Sequence, residues 1–195
     1  TVLGAVLKQT GRPSEALSAM EQSVKLAPGD AEAHNNLGIM LKELGRLDEV
    51  EASYKKAIAL KPDYAEAHNN LGLALQELGR PEEAEVSYGQ AIELQSNYAG
   101  AHNNLGITLK ELGRFDEAEA SHRRAIELRP DLPEARYNLG ALLFKRRKYN
   151  LAEEQFDLSQ THRSKLYAIR CSFLQDEETI FYKKFDLLAR QSETN

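Results

Sequence analysis

The chain has 195 residues, 42% of them apolar and 28% charged, and a net charge of −5. That is the composition of an ordinary soluble protein, and the negative balance argues against a nucleic-acid binder, which carries a basic surface. No apolar run is long enough to span a bilayer, no signal peptide is visible, and the single Cys171 cannot close an internal disulfide, so the expected localisation is cytoplasmic.

The chain opens on Thr1-Val2-Leu3-Gly4, the middle of a first helix, which leads us to expect a fragment of a longer array or a trimmed one. Leu-Gly then returns at 37–38, 71–72, 105–106 and 139–140, a period of 34 residues. A fixed period of that size marks a repeat architecture. The first unit, 1–30, carries Leu7, Ala16, Met20 and Ser23 before Pro28.

The second unit, 31–64, shows the physics most plainly. Leu37, Leu41 and Leu44 share one helical face. Gly45-Arg46 ends that helix with a glycine cap, and Asp48-Glu49 places carboxylates in the first turn of the next, where the macrodipole favours them. Val50, Tyr54, Ala57 and Ile58 form the second apolar stripe, and Lys61-Pro62 stops it. Gly38 and Ala57 are small enough for two backbones to approach closely. Each unit is therefore an antiparallel helix pair that cannot bury its face alone, so the units must stack.

Units 65–98 and 99–132 repeat the plan. The last, 133–166, is degenerate: Lys145-Arg146-Arg147-Lys148 stands where the turn glycine belongs. Beyond it, Ser164 is expected to cap a helix to about Leu174 with Leu166, Ile169 and Phe173 on its apolar face. Asp176 is expected to cap a last one, with Phe181, Phe185 and Leu188 inward. Residues 167–195 are read as capping helices and a tail, Gln191–Asn195, because a solenoid needs a polar end.

This pattern resembles the tetratricopeptide repeat (TPR) family over residues 1–166. The "HNNLG" of 34–38, 68–72 and 102–106 is similar to the asparagine-ladder repeats of O-GlcNAc transferase and kinesin light chain. The resemblance implies an all-α, right-handed superhelical solenoid of antiparallel helix pairs. It further implies that one stripe of each first helix faces a concave groove: Glu32, Asn36, Ile39, Glu43; Glu66, Asn70, Leu73, Glu77; Gly100, Asn104, Ile107, Glu111; and Glu134, Asn138, Ala141, Lys145. Asn36, Asn70, Asn104 and Asn138 then form a ladder, flanked by Asn35, Asn69 and Asn103, with Tyr137 in the last flanking place.

A carboxamide offers both a donor and an acceptor, which suits an extended peptide backbone. With helices ~8–10 Å apart and a peptide advancing ~3.3 Å per residue, one rung meets roughly every third ligand residue. Selectivity is left to Ile39, Leu73, Ile107 and the charges beside them. On this reading the asparagines serve the groove and not the fold, so alanine at Asn70 and Asn104 should leave stability unchanged or slightly raised. His34, His68 and His102 lie on successive helices, too far apart to share a metal, and read as packing groups.

No phosphate-binding loop, H-E-x-x-H or G-x-S-x-G occurs, so no enzymatic activity, metal or cofactor is expected. The basic clamp that co-chaperone members use for a C-terminal carboxylate is also lacking, because the groove stripe carries Glu, Asn and aliphatics until Lys145. The expected partner is a protein segment in extended conformation, with no nucleic acid, no membrane, and self-association possible through the repeat ends. Two alternatives stand beside this: a structural or self-assembling scaffold with an unused groove, and the targeting arm of a larger enzyme. The C-terminal junction faintly resembles bacterial proteins in which such repeats precede an iron/2-oxoglutarate oxygenase domain.

Overall fold

The computed structural model describes residues 13–159, 161, 164–177 and 179. The expected helix around Leu3, Val6 and Leu7, the inward set Phe181, Phe185 and Leu188, and the tail lie outside them. The described helices are α1 (Pro13–Leu26), α2 (Ala31–Glu43), α3 (Leu47–Leu60), α4 (Ala65–Glu77), α5 (Pro81–Leu94), α6 (Ala99–Glu111), α7 (Phe115–Leu128), α8 (Pro133–Lys145), α9 (Tyr149–Ser159) and α10 (164–177). No strand occurs among the described residues. The chain forms two compact units, 1–114 and 115–195.

In the first unit α2 packs on α3 and α4 on α5, and successive pairs stack through α1–α2, α3–α4 and α5–α6. One core runs through them, built on Met40, Leu41, Val50, Tyr54, Leu75 and Tyr88. The small residue at Gly38 and Gly72 has a more specific role than backbone approach. A Cβ on Gly38 would lie 2.6 Å from Cε1 of Tyr54, and one on Gly72 2.6 Å from Cε1 of Tyr88. The space a side chain would take is filled by an aromatic ring from the second helix of the same pair.

The turn inside each pair is a Schellman motif. Arg46 N–H donates to the Leu41 carbonyl at 3.0 Å and Gly45 N–H to that of Lys42 at 3.0 Å. Gly45, Gly79 and Gly113 take φ of 73°, 72° and 78°. The degenerate unit keeps this geometry without the glycine. Lys148 N–H reaches the Leu143 carbonyl at 3.0 Å, and Arg147 adopts φ 59°. The left-handed region costs an L-residue ~1–2 kcal/mol. Arg147→Gly should therefore raise stability by ~0.5–1 kcal/mol after the entropy of an added glycine is subtracted. Chemical denaturation measures this, and a midpoint equal to or below the parent's would show the turn to be unstrained.

The turn between pairs is pinned by the histidines. Nε2 of His34, His68 and His102 donates to the carbonyl six residues earlier, on Pro28, Pro62 and Ser96, at 3.2, 3.0 and 3.1 Å. Arg136 does the same through Nε to Pro130 at 3.0 Å. Their common role is to hold the entry to the first helix of each unit.

In the second unit α7 packs on α8 and α8 on α9, around Leu139, Leu143, Phe156, Ala168 and Cys171. Phe156 fills the place of a side chain at Gly140, 2.8 Å from a Cβ built there. Helix α10 departs from expectation in three ways: it runs through Asp176, which therefore caps no separate helix there, and its start and its face differ as well. Its first N–H groups are capped by Thr161, whose Oγ1 accepts from Ser164 N–H at 3.1 Å, while Ser164 is buried and donates to the Thr161 carbonyl at 2.7 Å. Its face is also reversed: Ser164, Ala168 and Cys171 are buried, and Leu166, Ile169 and Phe173 point outward. Tyr167 stands 5.2 Å from the Phe156 ring and 5.8 Å from that of Phe144, so the remaining contact surface accepts only small side chains. Burial pushes the Cys171 thiol up to about 11, with Glu153 and Asp157 adding to it.

Candidate functional site

The groove stripe of the first unit is half-open. Asn36, Ile39, Asn70, Leu73, Asn104 and Ile107 are all partly exposed, and Glu32, Glu43, Glu66, Glu77 and Glu111 are exposed. Between α2 and α4 lies a cavity of about 370 Å³ whose apolar floor is Ile39 and Leu73 and whose wall includes Asn70. Glu43, Glu66 and Glu77 line it against one cation, Lys42, whose Nζ lies 3.0 Å from Glu77. The phenol of Tyr54 also reaches this cavity. Burial raises its pKa far above the usual range, followed by the field of Glu77, Glu66 and Glu43, so it stays neutral.

The flanking asparagines do not lie beside the ladder in solvent. Asn35, Asn69 and Asn103 are buried, at 1%, 6% and 7% exposure. Asn70 Nδ2 donates to Asn35 Oδ1 at 3.0 Å, and Asn104 Nδ2 donates to Asn69 Oδ1 at 3.0 Å. The two amides of the pair Asn69-Asn70 thus have different tasks. The first is a buried acceptor facing the next repeat, and the second reaches back to the acceptor of the repeat before. The expectation that these residues serve only the groove is overturned for Asn35 and Asn69: a buried carbonyl oxygen needs a donor, and for both Oδ1 atoms the donor stands on the neighbouring helix.

This bond leaves the exposed amide usable. Asn70 spends one N–H on Asn35. A carboxamide has a second N–H and two acceptor lone pairs; Asn69 Nδ2 donates to Asn70 Oδ1 at 3.5 Å, which leaves one N–H and one lone pair in an orientation that the inter-helix bond has already set. Along the same face Gln76 Nε2 donates to Glu111 at 3.0 Å, while Gln76 Oε1 accepts from Tyr88 at 3.2 Å.

In the second unit Asn138 and Tyr137 line a separate cavity of about 290 Å³ with Glu134 and Thr161. Tyr137 is also part of the aromatic cluster, 5.8 Å from Phe156 and 6.1 Å from Tyr167 between ring centres. Lys145 does not line it. Its Nζ lies 4.7 Å from the centre of the Phe115 ring, a cation–π contact.

The inter-repeat ion pairs were not anticipated from the sequence. The residue after each turn glycine is an arginine that reaches back to the preceding second helix. Arg80 Nη1 is 2.7 Å from Glu51, and Arg114 Nη1 is 2.6 Å from Glu85. In the second unit Arg146 takes this role, 2.6 Å from Glu119. Burial pushes the Glu119 carboxyl up, but Lys148 and Arg123 outweigh it and hold the pKa below the usual range. The signal was present: arginine at 46, 80 and 114 and glutamate at 51, 85 and 119 recur with the period.

Among the described residues no group of three or more His, Cys, Asp or Glu is placed to hold a metal, and no helix is long and apolar enough to cross a membrane. Antiparallel helix pairs with a Gly–aromatic crossing and a half-open face on the first helices are the build of an interaction fold. Sequence profiles described as tetratricopeptide repeat match residues 1–30, 19–52, 63–131 and 103–164, and one described as TPR repeat matches 40–79. The chain belongs to the tetratricopeptide repeat family.

Solved structures similar to it include PilF of Pseudomonas aeruginosa, at 25% identity and TM-score 0.80, covering 91% of this chain and 83% of that one. PilW, a type IV pilus biogenesis factor, has 24% identity and TM-score 0.82 over 97% and 90%. YrrB, a TPR protein with an unusual peptide-binding site, has 23% identity and TM-score 0.68 over 86% and 88%. They show the fold class to be the all-α TPR solenoid. Comparison with curated protein sequences returned no match.

Proposed function

We propose that this chain is a non-catalytic protein-interaction module that holds an extended peptide against α2, α4 and α6, of the asparagine-ladder type. We place it in the cytoplasm and read residues 1–166 as the array and 167–195 as its cap. The observation that carries this is Asn70: its amide is fixed by Asn35 at 3.0 Å on the wall of a cavity floored by Ile39 and Leu73. A fixed amide beside an apolar floor offers a peptide one backbone contact and one side-chain seat. The carboxylates Glu43, Glu66 and Glu77 outnumber Lys42 there, so the favoured ligand carries an aliphatic residue next to a cationic one. YrrB, similar in fold, has a peptide-binding site.

A fluorescein-labelled peptide of alternating leucine and lysine is a suitable probe. It should bind weakly, because each backbone hydrogen bond adds only ~0.5–1.5 kcal/mol and ordering the peptide opposes it. Leu73→Asn and Glu66→Lys should each weaken it, by roughly tenfold for a loss of ~1.4 kcal/mol, as read by fluorescence anisotropy. A glutamate-for-lysine version should not bind. Equal binding of the probe to parent and both variants would place the peptide elsewhere and leave the scaffold reading in possession of the fold.

A further inference from the structure

Helix α10 carries its large apolar side chains on the wrong side for a buried helix. Leu166, Ile169 and Phe173 are 60%, 69% and 61% exposed, while Ala168 and Cys171 face the core. At 100° per residue the three lie within a narrow stripe diametrically opposite the packed face. The charges beside the stripe are ordered. On one flank stand Lys165 near the start and Asp176 near the end, both exposed. On the other are Arg170, held over the Phe144 ring at 5.5 Å, and Glu177.

We propose that this outward face is a homodimer interface, on which a second copy of the chain lays its own α10 antiparallel. The Lys165–Asp176 flank chooses both the occupant and the direction; on the other flank Arg170 stands level with the partner's Arg170, and each guanidinium is held over the Phe144 ring of its own chain, 5.5 Å away. About a two-fold axis near residue 170, each flank meets the same flank of the other copy. Lys165 then faces the partner's Asp176, and Asp176 faces the partner's Lys165. Phe173 falls between the partner's Leu166 and Ile169, so the two stripes interdigitate. A parallel arrangement would bring opposite flanks together and set Asp176 level with the partner's Glu177, a like-charge contact. Three exposed large apolar groups in one row are a surface that soluble proteins cover, and the face is self-complementary, as an isologous two-fold contact requires. The inference stands apart from the groove, which lies on other helices.

Sedimentation equilibrium of the full 195-residue chain, from micromolar to hundreds of micromolar, tests it. A concentration-dependent dimer is expected. Phe173→Asp should weaken it by about tenfold or more, the equivalent of ~1.4 kcal/mol, with an unchanged helical spectrum and melting curve because the residue is exposed. Lys165→Asp and Asp176→Lys should each weaken it several-fold, since each sets two like-charge pairs across the axis. The double variant, and an equimolar mixture of the two single variants, should recover the parent's association. A chain monomeric throughout the range would overturn the proposal and show that residues 180–195 or a different protein covers the stripe. A dimer indifferent to Phe173→Asp, or a double variant as weak as the singles, would overturn it as well.

Discussion

Gly72→Leu should lower the thermal midpoint by several degrees. Gly72 sits in the middle of α4, where glycine costs a helix ~1 kcal/mol relative to alanine, so something stronger must demand it. That demand is the ring of Tyr88, fully buried, whose Cε1 and Cδ1 lie 2.6 and 2.8 Å from where a Cβ would stand. The ring has nowhere to retreat, because its hydroxyl is tied to Gln76 and its edges contact the core. Overpacking such a site costs ~1–3 kcal/mol or more. For a chain of this size each kcal/mol moves the midpoint by ~2–4 °C. Even Gly72→Ala should destabilise, since the clash outweighs the gain in helix propensity. Gly89 in α5 is the control: nothing lies within 4 Å of its Cβ position, so Gly89→Ala should stabilise by up to ~1 kcal/mol. A Gly72→Leu protein that melts with the parent would mean that Tyr88 does not occupy this crossing.

Asn70→Ala with Asn104→Ala should also destabilise the array, the opposite of the expectation from helix propensity alone. Each alanine improves its own helix by up to ~0.7 kcal/mol. Each also strips a buried acceptor of its donor, Asn35 Oδ1 in one case and Asn69 Oδ1 in the other. An unsatisfied buried polar group costs ~1–3 kcal/mol. The removed side chains are themselves part-exposed, so water can enter the gap and the cost falls toward the lower figure. Two sites together should still lose roughly 1–3 kcal/mol in a denaturant titration after the propensity gain is subtracted. A double variant as stable as the parent, or more so, would return the asparagines to a purely external role.

The contrast between these two results marks what a single sequence can tell. The 34-residue period exposed the helices because leucine, alanine and glycine repeat at helical spacing, and the glycine turns announced where each pair folds back. The Gly–aromatic crossing was half legible: small and bulky residues alternated in register, but the reading paired backbone with backbone where the structure pairs backbone with ring. The burial of Asn35 and Asn69 was hidden because their partners stand 35 residues away. A polar pair that satisfies itself leaves the same trace as one facing water. Helix α10 misled for a related reason. The usual assumption puts large apolar groups inward, yet the tyrosine and phenylalanine rings already crowd that surface and admit only Ser164, Ala168 and Cys171.

The asparagine bonds also make the unit 65–98 a connector with a plug and a socket. Asn70 plugs into the repeat before it, and Asn69, its chain neighbour, is the socket for the repeat after it. Because one dipeptide carries both halves, a further copy of this unit would fit beside it without a new joint. In the last unit Tyr137 stands where the socket asparagine would be, with its ring turned to Tyr167 of α10. Growth of the array by simple duplication is thus open in the middle and closed at that end.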